Sequence, residues 1–217
     1  MSSRPQIVID IVGEGVTDVP KHEVPHTPDN GVLPVLVHKL CGQPKQMLVR
    51  PRSIPFLLGK TLAIKVQFAR RQARYSQSAG IVFVVDSDGD WKGKYMQLKK
   101  GRDTDQVPDF PTALGVAHPC IEAWLLADEK AIQRAFKLSK PPVLPEQPEA
   151  LPASKQDENH PKNVLRNAVD RSKPLSAREK SDIANHMGDM EILKKRCPQS
   201  FAPFAKEVQE NIQPLFD

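Results

Sequence analysis

The sequence predicts an α/β fold in which helices flank a mostly parallel four-stranded sheet, with further helices at the C-terminus. Residues 81–85 are apolar at every position, which is typical of a strand buried on both faces in a parallel sheet. Candidate strands alternate along the chain with candidate helices, the pattern of an α/β fold. The 217 residues are enough for one main domain with a sizeable core.

The first strand is predicted over residues 7–12, where β-branched residues dominate, and it stops at Gly13, Glu14 and Gly15. Hydrophobic spacing and turn residues define the next elements. They are a helix over 31–40, a strand over 47–49, a helix over 58–76, the strand ending at Asp86, a strand over 112–117 and a helix over 118–128, begun by Pro119. Residues 92–102 read as a basic, flexible stretch.

The C-terminal third is predicted to be helical after a proline-rich interruption. We expect a domain over 1–140, a linker or surface loop over 141–161, and a helical part over 162–217 that packs on the same domain. Apolar residues at helical spacing predict short helices over 162–169, 177–186, 190–195 and 201–216.

Carboxylates follow the predicted strands at the points where those strands end. Glu14 follows the first strand, Asp86 and Asp88 follow the strand at 81–85, and Glu122 lies one turn into a helix. Carboxyl ends of parallel strands share one edge of a sheet, where ligands bind. Clustered carboxylates repel one another unless cations are present, so the pattern predicts Mg²⁺ or Mn²⁺ and phosphate chemistry. The alternatives are purely structural roles: residues 86–90 would form a polar turn, and Glu122 would interact with the dipole of its helix.

Basic residues come before and after the strand at 81–85 in the sequence. Lys65, Arg70, Arg71 and Arg74 gather on or near the outer side of the helix over 58–76, as a solvated face or a phosphate contact. The cations over 92–102 would neutralise phosphates or only balance the carboxylates.

Other motifs are weaker. Residues 22–26 match the HExxH zinc-protease pattern, but Pro25 disfavours the helix which that motif needs. No glycine-rich P-loop is present. Three cysteines without CxxC spacing argue against a disulfide framework and a structural zinc, and the short first apolar run resembles neither a signal peptide nor a membrane span. We expect a cytoplasmic protein without membrane attachment.

The motifs together resemble the TOPRIM domain. They are Gly13-Glu14-Gly15-x-x-Asp18, Asp86-x-Asp88 and His-Pro-Cys-Ile-Glu-Ala-Trp-Leu-Leu-Ala-Asp over 118–128. More narrowly, the three motifs are similar to the small stand-alone branch related to RloB-like and OLD-type nucleases. Pro161-Lys162 and Cys197-Pro-x-Ser-Phe201-x-x-Phe204 also resemble that branch.

This resemblance implies a Rossmann-like fold and a role for each matched residue. Glu14 would serve in acid/base catalysis or metal binding, Asp86 and Asp88 would ligate Mg²⁺, and Glu122 would complete the site. Lys162 would contact phosphate, unless it is only a surface lysine.

The resemblance also implies a function. It predicts a Mg²⁺-dependent endonuclease that cleaves DNA or RNA, the toxic effector of an antiviral defence system that works with an ABC-type or SMC-like ATPase. The alternative is a non-catalytic TOPRIM-like subunit that binds and regulates such an ATPase. Whether the protein forms a homodimer stays open.

Overall fold

The computed structural model describes residues 5–14, 24–54, 58–105 and 109–217. Its centre is a four-stranded, all-parallel sheet, so the predicted α/β class is confirmed. The strands are β1 (Ile7–Gly13), β2 (Met47–Ser53), β3 (Gly80–Asp86) and β4 (Thr112–Ala117), in the spatial order β2-β1-β3-β4.

Helices connect the strands and fill the C-terminal part of the chain. They are α1 (Val32–Leu40), α2 (Leu62–Tyr75), α3 (Trp91–Asp103), α4 (Ile121–Leu125), α5 (Glu129–Phe136), α6 (Pro161–Ala168), α7 (Ala177–His186), α8 (Met190–Arg196) and α9 (Phe201–Asn211). Within the described ranges, no helix is both long and apolar enough to cross a membrane.

Alternating side chains of the strands form a core on each face of the sheet. On one face, Ile9 and Val84 pack against α1 and the C-terminal helices, where Trp124 lies 5.2 Å from the ring centres of both Phe201 and Phe204. On the other face, strand residues such as Phe83 pack against α2 and α3. Strands β1, β3 and β4 therefore have core residues on both faces, which explains the uninterrupted apolar run of β3.

The stretch predicted to be basic and flexible is instead the regular helix α3. Asp90 begins it, because its Oδ1 accepts a hydrogen bond from the Gly93 amide at 2.9 Å. Only Leu98 and Gly101 of this helix are buried. Two buried positions leave little hydrophobic periodicity, which is why the sequence pattern did not reveal the helix.

The helix predicted over 118–128 is shorter and broken. Cys120 has an extended backbone, α4 begins at Ile121, and α5 begins after Asp128, whose side chain accepts from the Ala131 amide at 2.9 Å. Pro119, expected in the first turn, lies before the helix in a cis peptide bond with His118.

One cation of α2 also departs from the expected outer face. Arg70 is fully buried, forms an ion pair with Asp105 at 3.3 Å and donates to the Arg102 carbonyl at 2.6 Å. The guanidinium therefore ties α2 to the end of α3, whereas Arg71 and Arg74 are exposed as predicted.

The proline-rich segment 141–161 is anchored to the fold by Glu149, which lies in a short 3-10 turn, Pro148–Ala150. The buried Glu149 carboxylate accepts hydrogen bonds at 2.8 Å from the amides of Gln199 and Ser200, at the start of α9. Ser200 in turn accepts from the Trp124 indole at 2.7 Å. This network fixes the segment beside α4 and α9, and its far end reaches the carboxyl edge of the sheet.

Candidate active site at the carboxyl edge of the sheet

The strand order reverses between β1 and β3. From β1 the chain moves outward to β2, then crosses back to place β3 on the other side of β1. In open parallel sheets, ligands bind at the carboxyl ends of the two strands that flank such a switch point. Glu14 follows β1 directly and Asp86 is the last residue of β3. The topology thus brings two of the predicted carboxylates to the favoured place.

Asp86 connects three elements at this edge. Its Oδ1 accepts a hydrogen bond from the Ile121 amide, the first residue of α4, at 2.9 Å. Its main-chain carbonyl accepts from Lys94 Nζ, on α3, at 2.7 Å. The carboxylate is half-buried, so it is held in position and still reachable from outside.

The turn after Asp86 is built by its own polar groups. Ser87 is buried, and its hydroxyl lies 2.7 Å from His118 Nδ1 after β4. Asp88 has a left-handed backbone with φ 46°, which aspartate tolerates better than most residues. Asp90 caps α3 and takes the turn role expected of it.

Asp88 points outward between two lysines. Its carboxylate lies 2.8 Å from Lys94 Nζ and 3.8 Å from Lys155 Nζ. Partial burial works to raise the pKa of Asp88, but the hydrogen bond and charge of Lys94, with the charges of Lys155 and Lys162, hold that pKa below its usual range. Asp88 is therefore a stable anion at neutral pH.

Glu122 is buried and ion-paired. Lys180 Nζ, from α7, lies 2.5 Å from Glu122 Oε1, and Lys162 Nζ, from α6, lies 4.0 Å from the same oxygen. Burial alone would raise the pKa of Glu122, but the charges of Lys180 and Lys162 outweigh it and lower that pKa. The carboxylate stays charged inside the protein.

A histidine borders this cluster on the segment that leads into α6. His160 is buried and caps α6, with Nδ1 accepting from the Lys162 amide at 3.2 Å. Burial and the charge of Lys162 lower the pKa of His160, so its imidazole is neutral at pH 7.

The structure gathers most of the predicted site residues. Glu122 follows the residue that binds Asp86, and Lys162 Nζ lies near Glu122 while its charge also acts on Asp88. Glu14 is half-buried at the end of the neighbouring strand.

Asp18 and the first two residues of the HExxH pattern lie outside the described residues. His26, which closes that pattern, forms an isolated bridge with Val49 of β2 rather than part of a helix.

Lys94 was expected only as one of several cations, and Lys155, His160 and Lys180 were not predicted at the site. A histidine directly before Pro161 is a signal for a helix start, but nothing local marks Lys155 or Lys180 as partners of distant carboxylates. Their role follows from tertiary packing.

Within the described part of the chain, no three His, Cys, Asp or Glu side chains form a group placed to hold a metal ion. Mg²⁺ commonly uses one or two protein carboxylates together with waters and substrate phosphates. Asp86 and Glu14 lie at the ends of the two strands that flank the switch point, where an open site of that kind would form. Asp88 and Glu122 each form an ion pair with a lysine. The predicted metal roles of all four remain predictions.

No protein-family model, curated protein or solved structure matches this chain. The resemblance to TOPRIM therefore rests on the motifs themselves.

Proposed function

We propose that the protein is a metal-dependent nuclease that hydrolyses phosphodiester bonds in DNA or RNA at the carboxyl edge of its sheet. The observation that supports this most is the position of Asp86 and Glu14 on either side of the switch point, with Lys94 bound to the Asp86 carbonyl. An edge that combines fixed carboxylates with several cations suits a phosphate ester and the ion that activates it.

Each side chain has a role in this proposal. Asp86 and Glu14 would hold Mg²⁺ or Mn²⁺, which when bound supplies Lewis-acid activation of the phosphate and of water. Lys155 and Lys162 are both exposed on the side of Asp88 and Glu122, so they would bind substrate phosphate oxygens. Lys94 and Lys180 orient the turn and helix α4 rather than contact substrate.

One observation favours a second function. Asp88 and Glu122, both expected as metal ligands, are paired with lysines in the structure. Such pairing is also what a non-catalytic protein would need to keep these carboxylates stable, and it would then act by binding a partner. The predicted ATPase partner rests on the family resemblance alone and stays a prediction.

The test is cleavage of plasmid DNA, single-stranded DNA and RNA with Mg²⁺ or Mn²⁺, comparing wild type with Asp86→Ala and Glu14→Ala. We expect each substitution to reduce the rate by about 100-fold or more, since each removes an oxygen ligand. A chelator should abolish cleavage. Asp182→Ala is the matched control, because Asp182 is an exposed carboxylate on α7 that has no role in the proposal.

Two results would reject the nuclease. One is cleavage that is unchanged in both Asp86→Ala and Glu14→Ala. The other is a wild-type protein that is inactive on every substrate and co-purifies in fixed ratio with another protein, which would support the binding function.

A further inference from the structure

The positive charge of the chain is concentrated on two neighbouring helices. Helices α2 and α3 together contain nine lysines and arginines and one carboxylate, Asp103. The whole chain has 31 basic and 26 acidic residues, so the rest of the molecule carries a slight acidic excess. Both helices pack on the same face of the sheet and against each other.

Part of this charge is used within the protein. Arg70 pairs with Asp105, Arg102 with Glu207 at 2.8 Å, and Lys94 with Asp88. Those cations hold the structure together, so they are not offered to a partner.

Of the other six cations, Arg71 also pairs with Asp105 and Lys65 donates to the Ile54 carbonyl. The last four form an exposed surface, which we call the α2–α3 face: Arg74, Lys92, Lys99 and Lys100. All four are exposed, and none forms an ion pair with a carboxylate among the described residues. Lys92 and Lys99 are seven residues apart, two helical turns, so they lie on one side of α3. Unpaired positive charges spread along two packed helices attract a polyanion.

The face also has an aromatic end and a connection to the candidate site. Tyr75, in the last turn of α2, has 91% of its surface exposed and follows Arg74 directly. At the other end, Lys92 lies in the first turn of α3, two residues before the Lys94 that contacts Asp86 and Asp88.

We propose that the α2–α3 face binds a single-stranded nucleic acid and leads it toward the carboxyl edge. The lysines and Arg74 contact successive phosphates, and Tyr75 stacks on an unpaired base, a contact that a base inside a duplex does not offer. The proposal rests on the proposed nuclease function, because it assigns the surface that holds the substrate of that site. An acidic protein would match the charge alone, whereas an unpaired base beside a phosphate would contact both the cations and the exposed Tyr75 ring.

The experiment measures binding without cleavage. A fluorescein-labelled single-stranded oligonucleotide is titrated in EDTA with Asp86→Ala protein, and anisotropy gives Kd. Adding Lys99→Glu and Lys100→Glu should raise Kd by about 10-fold and reduce the slope of log K against log salt by about 1.4, since two phosphate contacts are lost. Tyr75→Ala should raise Kd for the single strand by about 5-fold and leave Kd for a duplex unchanged.

The matched control carries Lys130→Glu and Lys173→Glu. Both lysines are exposed, on α5 and before α7, and the change in net charge is the same. Its Kd should stay within about 2-fold of the parent. Circular dichroism confirms folding of each variant.

Three results would overturn the proposal: an unchanged Kd in the face variant, an equal loss in the control, or equally tight binding of a polyglutamate peptide. These outcomes are separate from the nuclease test. If Asp86→Ala cleaves like wild type, the active-site assignment fails while the binding result stands. If the face substitutions leave Kd unchanged but Asp86→Ala is inactive, only the surface assignment fails.

Discussion

Glu122 was predicted from the sequence as a site residue, but its ion-pair partner Lys180 was not. Both are buried, and they lie 58 residues apart on α4 and α7. Because removing Lys180 leaves the buried Glu122 charge with only the more distant Lys162 beside it, we expect Lys180→Met to lower the free energy of unfolding by about 3 kcal/mol. Urea denaturation followed by circular dichroism measures this change.

The double variant Glu122→Gln with Lys180→Met is the control for that measurement. It removes both charges, so it should be more stable than Lys180→Met alone. If the double variant is no more stable than the single one, the pair does not carry the stability assigned to it.

Single carboxylates differed in how far the sequence could predict their surroundings. Asp86 was identified because it ends an apolar strand, and strand ends define the edge of a parallel sheet. Asp10 lies inside β1, where nothing distinguishes it from a strand residue of no special role. In the structure it is fully buried and ion-paired with Arg50 and Arg52 of β2, a contact that depends on strand register.

Helix α3 depends on a close approach to α2 at one glycine. A Cβ at Gly101 would lie 2.5 Å from the Ala63 carbonyl oxygen and 2.8 Å from Val66 Cβ. We expect Gly101→Ala to destabilise the protein by about 1 to 3 kcal/mol, although alanine is the better helix former, because the backbone of α2 must move. Thermal and urea unfolding measure the loss.

Gly188→Ala is the matched control, since a Cβ there would meet nothing within 4 Å. Its stability should stay within about 0.5 kcal/mol of wild type. A Gly101→Ala protein as stable as Gly188→Ala would contradict the close packing of α2 and α3.

Helices with several buried apolar positions were predicted, whereas α3, with only two buried positions, was not. Helix α2 has the spacing of Val66, Ala69 and Ala73, whereas α3 packs through Leu98 and Gly101. The broken helix at 118–128 has a related cause: its apolar residues are all buried, so their pattern gives no sign of where α4 ends and α5 begins.

Across the molecule, the α/β class followed from alternating elements, but the strand order did not. No local pattern predicts that the chain crosses over after β2 so that β3 pairs with the other side of β1. That crossover connection creates the switch point between Glu14 and Asp86. The C-terminal part likewise brings Lys155, Lys162 and Lys180 to an edge built by the first half of the chain. The positions of these lysines depend on tertiary packing, because they lie far from the carboxylates in the sequence.

We expect the carboxyl edge to hold a divalent ion together with a substrate phosphate. The most direct measurement is Mn²⁺ binding followed by electron paramagnetic resonance, with and without a non-hydrolysable phosphorothioate oligonucleotide. Because Mg²⁺-type sites take part of their ligands from the substrate, wild type should bind Mn²⁺ more tightly when the oligonucleotide is present, and Asp86→Ala should lose that binding. Identical Mn²⁺ binding by wild type and Asp86→Ala, under both conditions, would contradict the account.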